Sequence, residues 1–299
     1  MSRTVILLAA LLGVTAAYAS PPASYTQQIE QWRAERLKSL TAPYSWLSLV
    51  GLPWLHEGVN RVGSAKGNDV VIASAPPHLA TIDWRKDGTL TLALDKGVQA
   101  RILGSHARHA TLLDDSHAEP TTVRFGTTEF YLVTRNGMKG LRVKDSRAPT
   151  RTHFAGLDYF PINPALRFTA QWTAFKPQHE MKMGNEIGGI DSYPVPGKAT
   201  FEYRGHQYVV TPVIETPGAT QYFLVFADRT SGKETYGAAR FLYIDPPKPG
   251  SHTVVVDFNK AYNPPCAFTP YATCNLAPPE NRLDFRVTAG EKKYAGRVE

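Results

Sequence analysis

The sequence of 299 residues contains only two cysteines, and after residue 20 it has no apolar run of 18 residues. Two cysteines exclude a small disulfide-dense scaffold, and the lack of a long apolar run argues against a transmembrane segment. Charges of one sign never run for five or six positions, so we expect no nucleic-acid partner. Aromatic residues make up 11% of the chain, which is enough large side chains for a folded core.

The first residues are typical of an export signal. Arg3 precedes an apolar stretch at residues 5–14, and the small residues Ala17 and Ala19 precede Ser20. This pattern predicts a signal peptide at residues 1–19 and a periplasmic or secreted protein. Its removal leaves 32 Lys and Arg against 26 Asp and Glu, a net charge of +6 that predicts a moderately basic surface.

One helix precedes a chain of strands. Residues 25–40 have apolar side chains near helical spacing, Ser24 or Thr26 is a candidate N-cap, and Pro43 ends the helix. From residue 45 onward, short β-prone runs alternate with Gly, Pro, Asn or Asp. The sequence therefore predicts an all-β fold, with two β-sandwich or barrel-like units preceded by one N-terminal helix.

The number of expected strands, twelve or more, exceeds what one small sandwich holds. We place a boundary near residues 149–157, where the first group of strands ends. The predicted domains are residues 20–150, with the helix and the first β unit, and residues 151–299, with the second β unit.

Familiar catalytic and metal-binding signatures fail on inspection. His179 and Glu180 begin like the zinc-protease motif, but Met183 stands where the second histidine is required. Neither a nucleophile elbow nor a phosphate loop occurs. The mixed group of His and Asp at residues 106–117 is spaced for an exposed loop rather than a metal site. We expect no cofactor and no metal, and whether the chain is an enzyme stays open.

The two cysteines, Cys266 and Cys274, enclose seven residues. In an exported protein such a pair favours a disulfide, which on the loop-entropy model stabilises the fold by about 2 to 3 kcal/mol. A buried pair of free thiols, or a nucleophile or metal ligand, are the alternatives.

The C-terminal sequence resembles a known family. Residues 257–274 read DFNKAYNPPCAFTPYATC, and PPENRL follows at residues 278–283. With YGAARFL at residues 236–242 and WLSLVGLPWLHEG at residues 46–58, this pattern resembles the bacterial domain of unknown function numbered 1684 over nearly the whole mature chain. That resemblance implies no activity.

A second resemblance covers residues 58–82, where GVNRVGS, NDVVI and HLATI are spaced as in part of a forkhead-associated sandwich. That family binds phosphothreonine with an Arg where Ser64 stands here. The resemblance therefore implies a sandwich shape and not phosphopeptide binding.

Candidate site residues concentrate near the C-terminal motif. Alternation along residues 254–259 puts Asp257 and Asn259 on one face of a strand. Pro264 and Pro265 stiffen the loop that follows, which is either a structural clasp or the wall of a site. Arg240 needs a carboxylate partner if it is buried. The candidates are Asp228, Asp257 and Glu280, and the pair is either a structural ion pair or part of an anion or sugar site.

From these residues we predict a polar pocket in the second unit that binds a small polar or glycan ligand. Two alternatives are a hydrolase that uses Asp257 with Asp228 or Glu280 as acid and base, and a structural or envelope-interaction protein. The sequence does not predict the oligomeric state. The ligand-binding candidates are Asp228, Tyr236, Arg240, Asp257, Asn259, Tyr262, Asn263 and Glu280.

Overall fold

A computed structural model of the chain describes residues 24–296. The predicted signal peptide at residues 1–19 lies outside the described residues. The fold is mostly β, as predicted: four sheets follow one long N-terminal helix. Between residues 24 and 296, no helix has the length and hydropathy needed to cross a membrane.

The N-terminal helix, α1 (Tyr25–Thr41), begins and ends where its local sequence requires. The Ser24 hydroxyl accepts from the backbone N–H of Gln27, whose side chain accepts from the backbone N–H of Ser24 at 2.7 Å, so a capping box fixes the start. Ala42 is extended at ψ 150° because Pro43 follows it. The helix buries Ile29 and Leu40 on one face.

Two five-stranded sheets follow. In space, their orders are β3-β2-β4-β5-β7 and β1-β10-β9-β8-β6. The strands are β1 (Leu49–Gly51), β2 (Gly58–Gly63), β3 (Val70–Val71), β4 (Ala80–Trp84), β5 (Leu90–Leu94), β6 (Ala100–Ile102), β7 (His109–Thr111), β8 (Thr122–Phe125), β9 (Thr128–Arg135) and β10 (Met138–Asp145). Asn136 and Gly137 turn β9 into β10 with positive φ angles of 51° and 78°, as a tight two-residue turn demands.

The two sheets share one apolar core. Leu90, Leu92 and Leu94 of β5 are buried while the residues between them are half-buried, which is the alternation of a strand with one covered face. Phe130 and Val143 belong to the same cluster from the other sheet. Residues 49–145 therefore form a two-layer sandwich.

A second set of sheets follows a short helix, α2 (Pro149–Thr152). One sheet has the order β13-β12-β11-β16, and β14 pairs with β15. These strands are β11 (Arg167–Gly184), β12 (Ile190–Tyr203), β13 (His206–Val210), β14 (Tyr222–Phe226), β15 (Arg240–Ile244) and β16 (Thr253–Asp257). Leu224 and Leu242 share a core with Val254 and Val256, so the two sheets pack together.

The hairpin of β11 and β12 is much longer than the sequence predicted. The sequence predicts short strands, whereas these two run for 18 and 14 residues and their pairing continues to Gly184 opposite Ile190. Residues 176–180 are all exposed, so the apolar alternation that marks a strand is interrupted there, although Met181 and Met183 beyond them are buried.

The chain after β16 returns across the second unit as residues 258–292, called here the C-terminal segment. Short 3-10 turns at Phe258–Lys260, Pro265–Ala267 and Pro279–Asn281 replace strands. Backbone hydrogen bonds join Ala227 to Asn281 and to Leu283, which attaches the segment to the end of β14. Helix α1 also contacts this segment, although the predicted domain 20–150 groups α1 with the first unit. The division into two domains stays a prediction.

We expect Gly290→Ala to destabilise the protein more than Gly250→Ala. Both glycines have positive φ, 78° and 77°, so each alanine costs about 1 to 2 kcal/mol of backbone strain. A Cβ at residue 290 would also lie 2.4 Å from the carbonyl oxygen of Ala261, whereas a Cβ at residue 250 meets nothing within 4 Å. Urea unfolding should show an additional loss of about 1 to 3 kcal/mol for Gly290→Ala; equal losses would contradict this packing.

Candidate functional site

Arg240 and Asp228 form a buried ion pair beneath the C-terminal segment. Nη2 of Arg240 lies 3.0 Å from Oδ1 of Asp228, and the side chains are 1% and 0% exposed. Arg240 also donates to the carbonyl oxygens of Val287 and Ala289, while Asp228 accepts from the backbone N–H of Val287. Asp228 is thus the partner among the three candidates, and the pair attaches residues 287–289 to the start of β15.

Asp257 and Asn259 lie together at the end of β16, where they meet the helix. The Tyr25 hydroxyl donates to the Asp257 carboxylate at 2.9 Å, and the Asn259 side-chain amide donates to that hydroxyl at 2.8 Å. Asn259 also exchanges two hydrogen bonds with the backbone of Asn163. Burial and the charge of Asp257 raise the pKa of Tyr25, which therefore keeps its proton. These contacts hold the start of α1 against the second unit.

A buried carboxylate, Glu291, holds the middle of α1. Its side chain is 0% exposed and accepts from Nε of Arg36 at 2.9 Å and from the backbone N–H of Asn263 at 2.8 Å. Arg36 also donates through Nη2 to the Asn263 carbonyl oxygen, and its Cζ lies 4.6 Å from the ring centre of Tyr262. Two predicted residues, Tyr262 and Asn263, therefore belong to one cluster with Arg36.

Tyr236 lies beside the two cysteines. The backbone N–H groups of Cys266 and Cys274 each lie 3.2 Å from the other residue's sulfur, and both residues are free thiols in the structure. Burial raises the pKa of the Cys274 thiol well above its usual range, which makes it a poor nucleophile. The Tyr236 hydroxyl donates to Glu186 at 3.1 Å, and burial followed by the charge of Glu186 raises the pKa of Tyr236.

Glu280 is separate from these clusters. It lies exposed on the 3-10 turn at Pro279–Asn281, and among residues 24–296 it has no hydrogen-bond partner. The predicted site residues are therefore distributed over four clusters and one exposed position. The contacts of Asp228 and Asp257 are with protein groups, and these two carboxylates share no partner with each other or with Glu280.

A groove of about 410 Å³ opens between α1, β14, β15 and the C-terminal segment. Seven of its thirteen lining residues are aromatic. Phe223, Phe241 and Phe268 are buried and form its base, whereas Tyr243 is 39% exposed. We call this surface the aromatic groove. It is lined by Trp32, Glu35, Arg36, Ser39, Leu40, Trp46, Glu215, Phe223, Phe241, Tyr243, Tyr262, Pro265 and Phe268.

Polar groups follow one wall of the aromatic groove. The Tyr243 hydroxyl donates to Glu215 at 2.6 Å, and the Tyr243 and Tyr262 rings stack with centres 6.2 Å apart. Burial raises the pKa of both phenols, and the hydrogen bond to Glu215 raises that of Tyr243 further, so both remain protonated donors. Within residues 24–296, Nη1 of Arg36 has no protein acceptor, which leaves it available to a bound molecule.

Two other hollows lie in the first unit and carry less chemistry. One, of about 380 Å³, lies on the face of β4, β5 and β7 and is lined mainly by Thr and Ala. The other, of about 310 Å³, lies between β1, β3 and β10 and is mainly apolar. Among the residues that the structure describes, no group of three or more His, Cys, Asp or Glu is arranged to hold a metal ion. The aromatic groove is therefore the best candidate site.

Sequence reasoning identified one residue of the aromatic groove, Tyr262, and missed the others. Trp32, Glu35 and Arg36 lie on the predicted helix, whose apolar spacing indicated only a packed face. The signal that could have found them is Arg33 and Arg36 on that face, since a buried arginine needs partners elsewhere in the fold. Glu215 precedes a turn of polar residues and carried no signal.

Residues 152–292 match the model of a family described as "Protein of unknown function (DUF1684)". The match spans about half of the chain, so the resemblance predicted for nearly the whole mature chain is supported over this part, and the segment at residues 46–58 lies outside it. The matched residues lie in the unit that supplies β14, β15 and the C-terminal segment.

Among solved structures, the solution NMR structure of an uncharacterized protein from Haloarcula marismortui is similar to this chain at 27% sequence identity. The similarity covers 49% of this chain and 81% of that protein, with a TM-score of 0.41. No curated protein matches the chain significantly.

We expect Asp228→Asn to lower the free energy of unfolding by about 3 to 5 kcal/mol, because it leaves the guanidinium of Arg240 buried without a counter-charge. Asp284→Asn is the matched control, since Asp284 pairs with Arg229 at the surface, where both side chains are more than half exposed. That control should lose no more than about 1 kcal/mol. Urea unfolding of both variants tests this; similar losses would show that the buried pair is not the stronger one.

Proposed function

We propose that this chain is an exported binding protein whose aromatic groove takes a carbohydrate ligand. The observation that carries the proposal is the combination of half-buried Trp32, Trp46 and Tyr262 with the unoccupied Nη1 donor of Arg36 in one concave surface. Sugar rings present apolar C–H faces that pack on aromatic rings, and hydroxyl groups that need a few placed polar partners. Arg36 supplies a donor, and Glu35 and Glu215 supply acceptors.

The contacts of the candidate acids support binding rather than hydrolysis. The Asp228 carboxylate accepts from Arg240, Thr230 and Val287, and the Asp257 carboxylate accepts from Tyr25 and Asn259. A catalytic carboxyl group must reach the substrate, and these two are occupied by protein donors and lie outside the aromatic groove.

A purely structural role has less support. Such a role requires a large exposed apolar patch, whereas the exposed apolar side chains of the described residues, such as Val59, Ile190 and Val209, come from separate strands. The groove, in contrast, is one continuous surface with both apolar and polar groups.

We expect Trp32→Ala to weaken binding of a short neutral glucose oligosaccharide about tenfold, because it removes a stacking surface from the groove. Trp54→Ala is the matched control: Trp54 is 37% exposed and lies outside the groove, so this variant should bind normally. Isothermal titration calorimetry on the folded variants measures both. Absence of saccharide binding by the parent chain, or equal effects of the two substitutions, would contradict the proposal.

Export and the state of the cysteines form a further part of the proposal. The signal-like residues 1–19 support export. The backbone nitrogen of each cysteine lies 3.2 Å from the sulfur of the other, so the two residues are adjacent, and this proximity supports a disulfide in an oxidising compartment. We expect the chain expressed with its own N-terminus to be recovered from the periplasm with a mass for residues 20–299 less two hydrogens. Alkylation before and after reduction is the control. A thiol-labelled or uncleaved chain would contradict this part.

A further inference from the structure

A pair of cations lies beside the aromatic groove, on the first unit. Arg142 and Lys144 are two residues apart on β10, so both project from the face opposite buried Val143. The Trp46 ring, which lines the groove, has the Arg142 Cζ 5.2 Å and the Lys144 Nζ 5.7 Å from its centre. The two cations also flank the ring of Tyr131.

Nearby carboxylates neutralise this pair only in part: Arg142 shares Asp115 with Arg135, and Lys144 has no carboxylate of its own. Glu129 is directly opposite Lys144 in the sheet, but it binds Arg124 at 3.1 and 2.5 Å. Asp115 binds Arg135 at 2.9 and 2.5 Å and reaches Arg142 only at 3.5 Å. Among the described residues, the Lys144 ammonium has no carboxylate partner within 4.0 Å.

The two ends of the aromatic groove therefore differ in charge. Glu35 and Glu215 lie on its rim, and neither forms an ion pair with a residue in the described part of the chain. Trp46, at the end of the groove formed with Leu40 and Phe268, adjoins Lys144, the cation of the pair that lacks a carboxylate partner. An acidic group on a bound sugar would be repelled at the rim and attracted at Trp46.

We propose that the aromatic groove selects an acidic saccharide, a sugar chain with a uronic acid residue, and that Lys144 pairs with its carboxylate beside Trp46. This inference rests on the proposed function and specifies its ligand class. Lys144 is half-buried, and its flexible stem lets the ammonium follow the carboxylate. Partial burial strengthens such a pair relative to one in water.

The test is calorimetric titration of the full exported chain with two disaccharides of the same linkage, one of two glucose units and one in which glucuronic acid replaces a glucose. The parent chain should bind the acidic disaccharide about tenfold more tightly. Lys144→Gln should lose about tenfold for the acidic disaccharide, the loss of one charge-assisted contact, and nothing for the neutral one. Lys139→Gln, on the same strand but beside Trp84, should change neither.

The remaining outcomes distinguish a failure of the acidic-saccharide inference from a failure of the groove proposal. Equal affinity of the parent chain for the two disaccharides, or equal effects of Lys144→Gln and Lys139→Gln, overturns the acidic-saccharide inference and leaves the carbohydrate groove in place. Failure of both disaccharides to bind overturns the groove proposal and this inference with it.

Discussion

The arrangement of the second unit depends on the contacts that one buried carboxylate, that of Glu291, makes with the rest of the chain. A charge removed from water costs several kcal/mol unless it is paired and hydrogen-bonded. Glu291 meets this requirement with groups from two distant parts of the chain, the guanidinium of Arg36 and the backbone N–H of Asn263. Helix α1 and the C-terminal segment are thereby held at a fixed separation, and the aromatic groove is the space between them.

Two further buried acids, Asp257 and Asp228, are paired in the same way along the second unit. Asp257 binds Tyr25 at the start of α1, Glu291 binds Arg36 in its middle, and Asp228 binds Arg240 below the last residues of the segment. Glu291 and Asp228 also bind backbone N–H groups of the C-terminal segment, at Asn263 and Val287, where the chain has little regular secondary structure. Polar contacts thus replace the strand pairing that this part of the fold lacks.

The sequence predicted the features that depend on local chemistry. Ser24 and Pro43 bound the helix, and Asp228 is one of the three partners predicted for Arg240. The missed features depend on contacts between distant residues. Residues 176–180 of β11 are exposed on both faces, and the walls of the aromatic groove come from three stretches: residues 32–46, 215–243 and 262–268. Periodicity within one stretch could not show that these three meet.

The composition of the aromatic groove also affects when it can form during synthesis. One wall is the first helix of the described chain, and the opposite wall includes Tyr262, Pro265 and Phe268, more than two hundred residues later. The first sandwich can fold as soon as its own strands emerge, since domains generally fold as units from the N-terminus. Until the C-terminal segment is synthesised, the Arg36 side chain of α1 lacks its protein partners and is solvated. The groove therefore forms only when the C-terminal segment has been added, so a chain truncated before that segment would keep much of its β-structure and still have no groove.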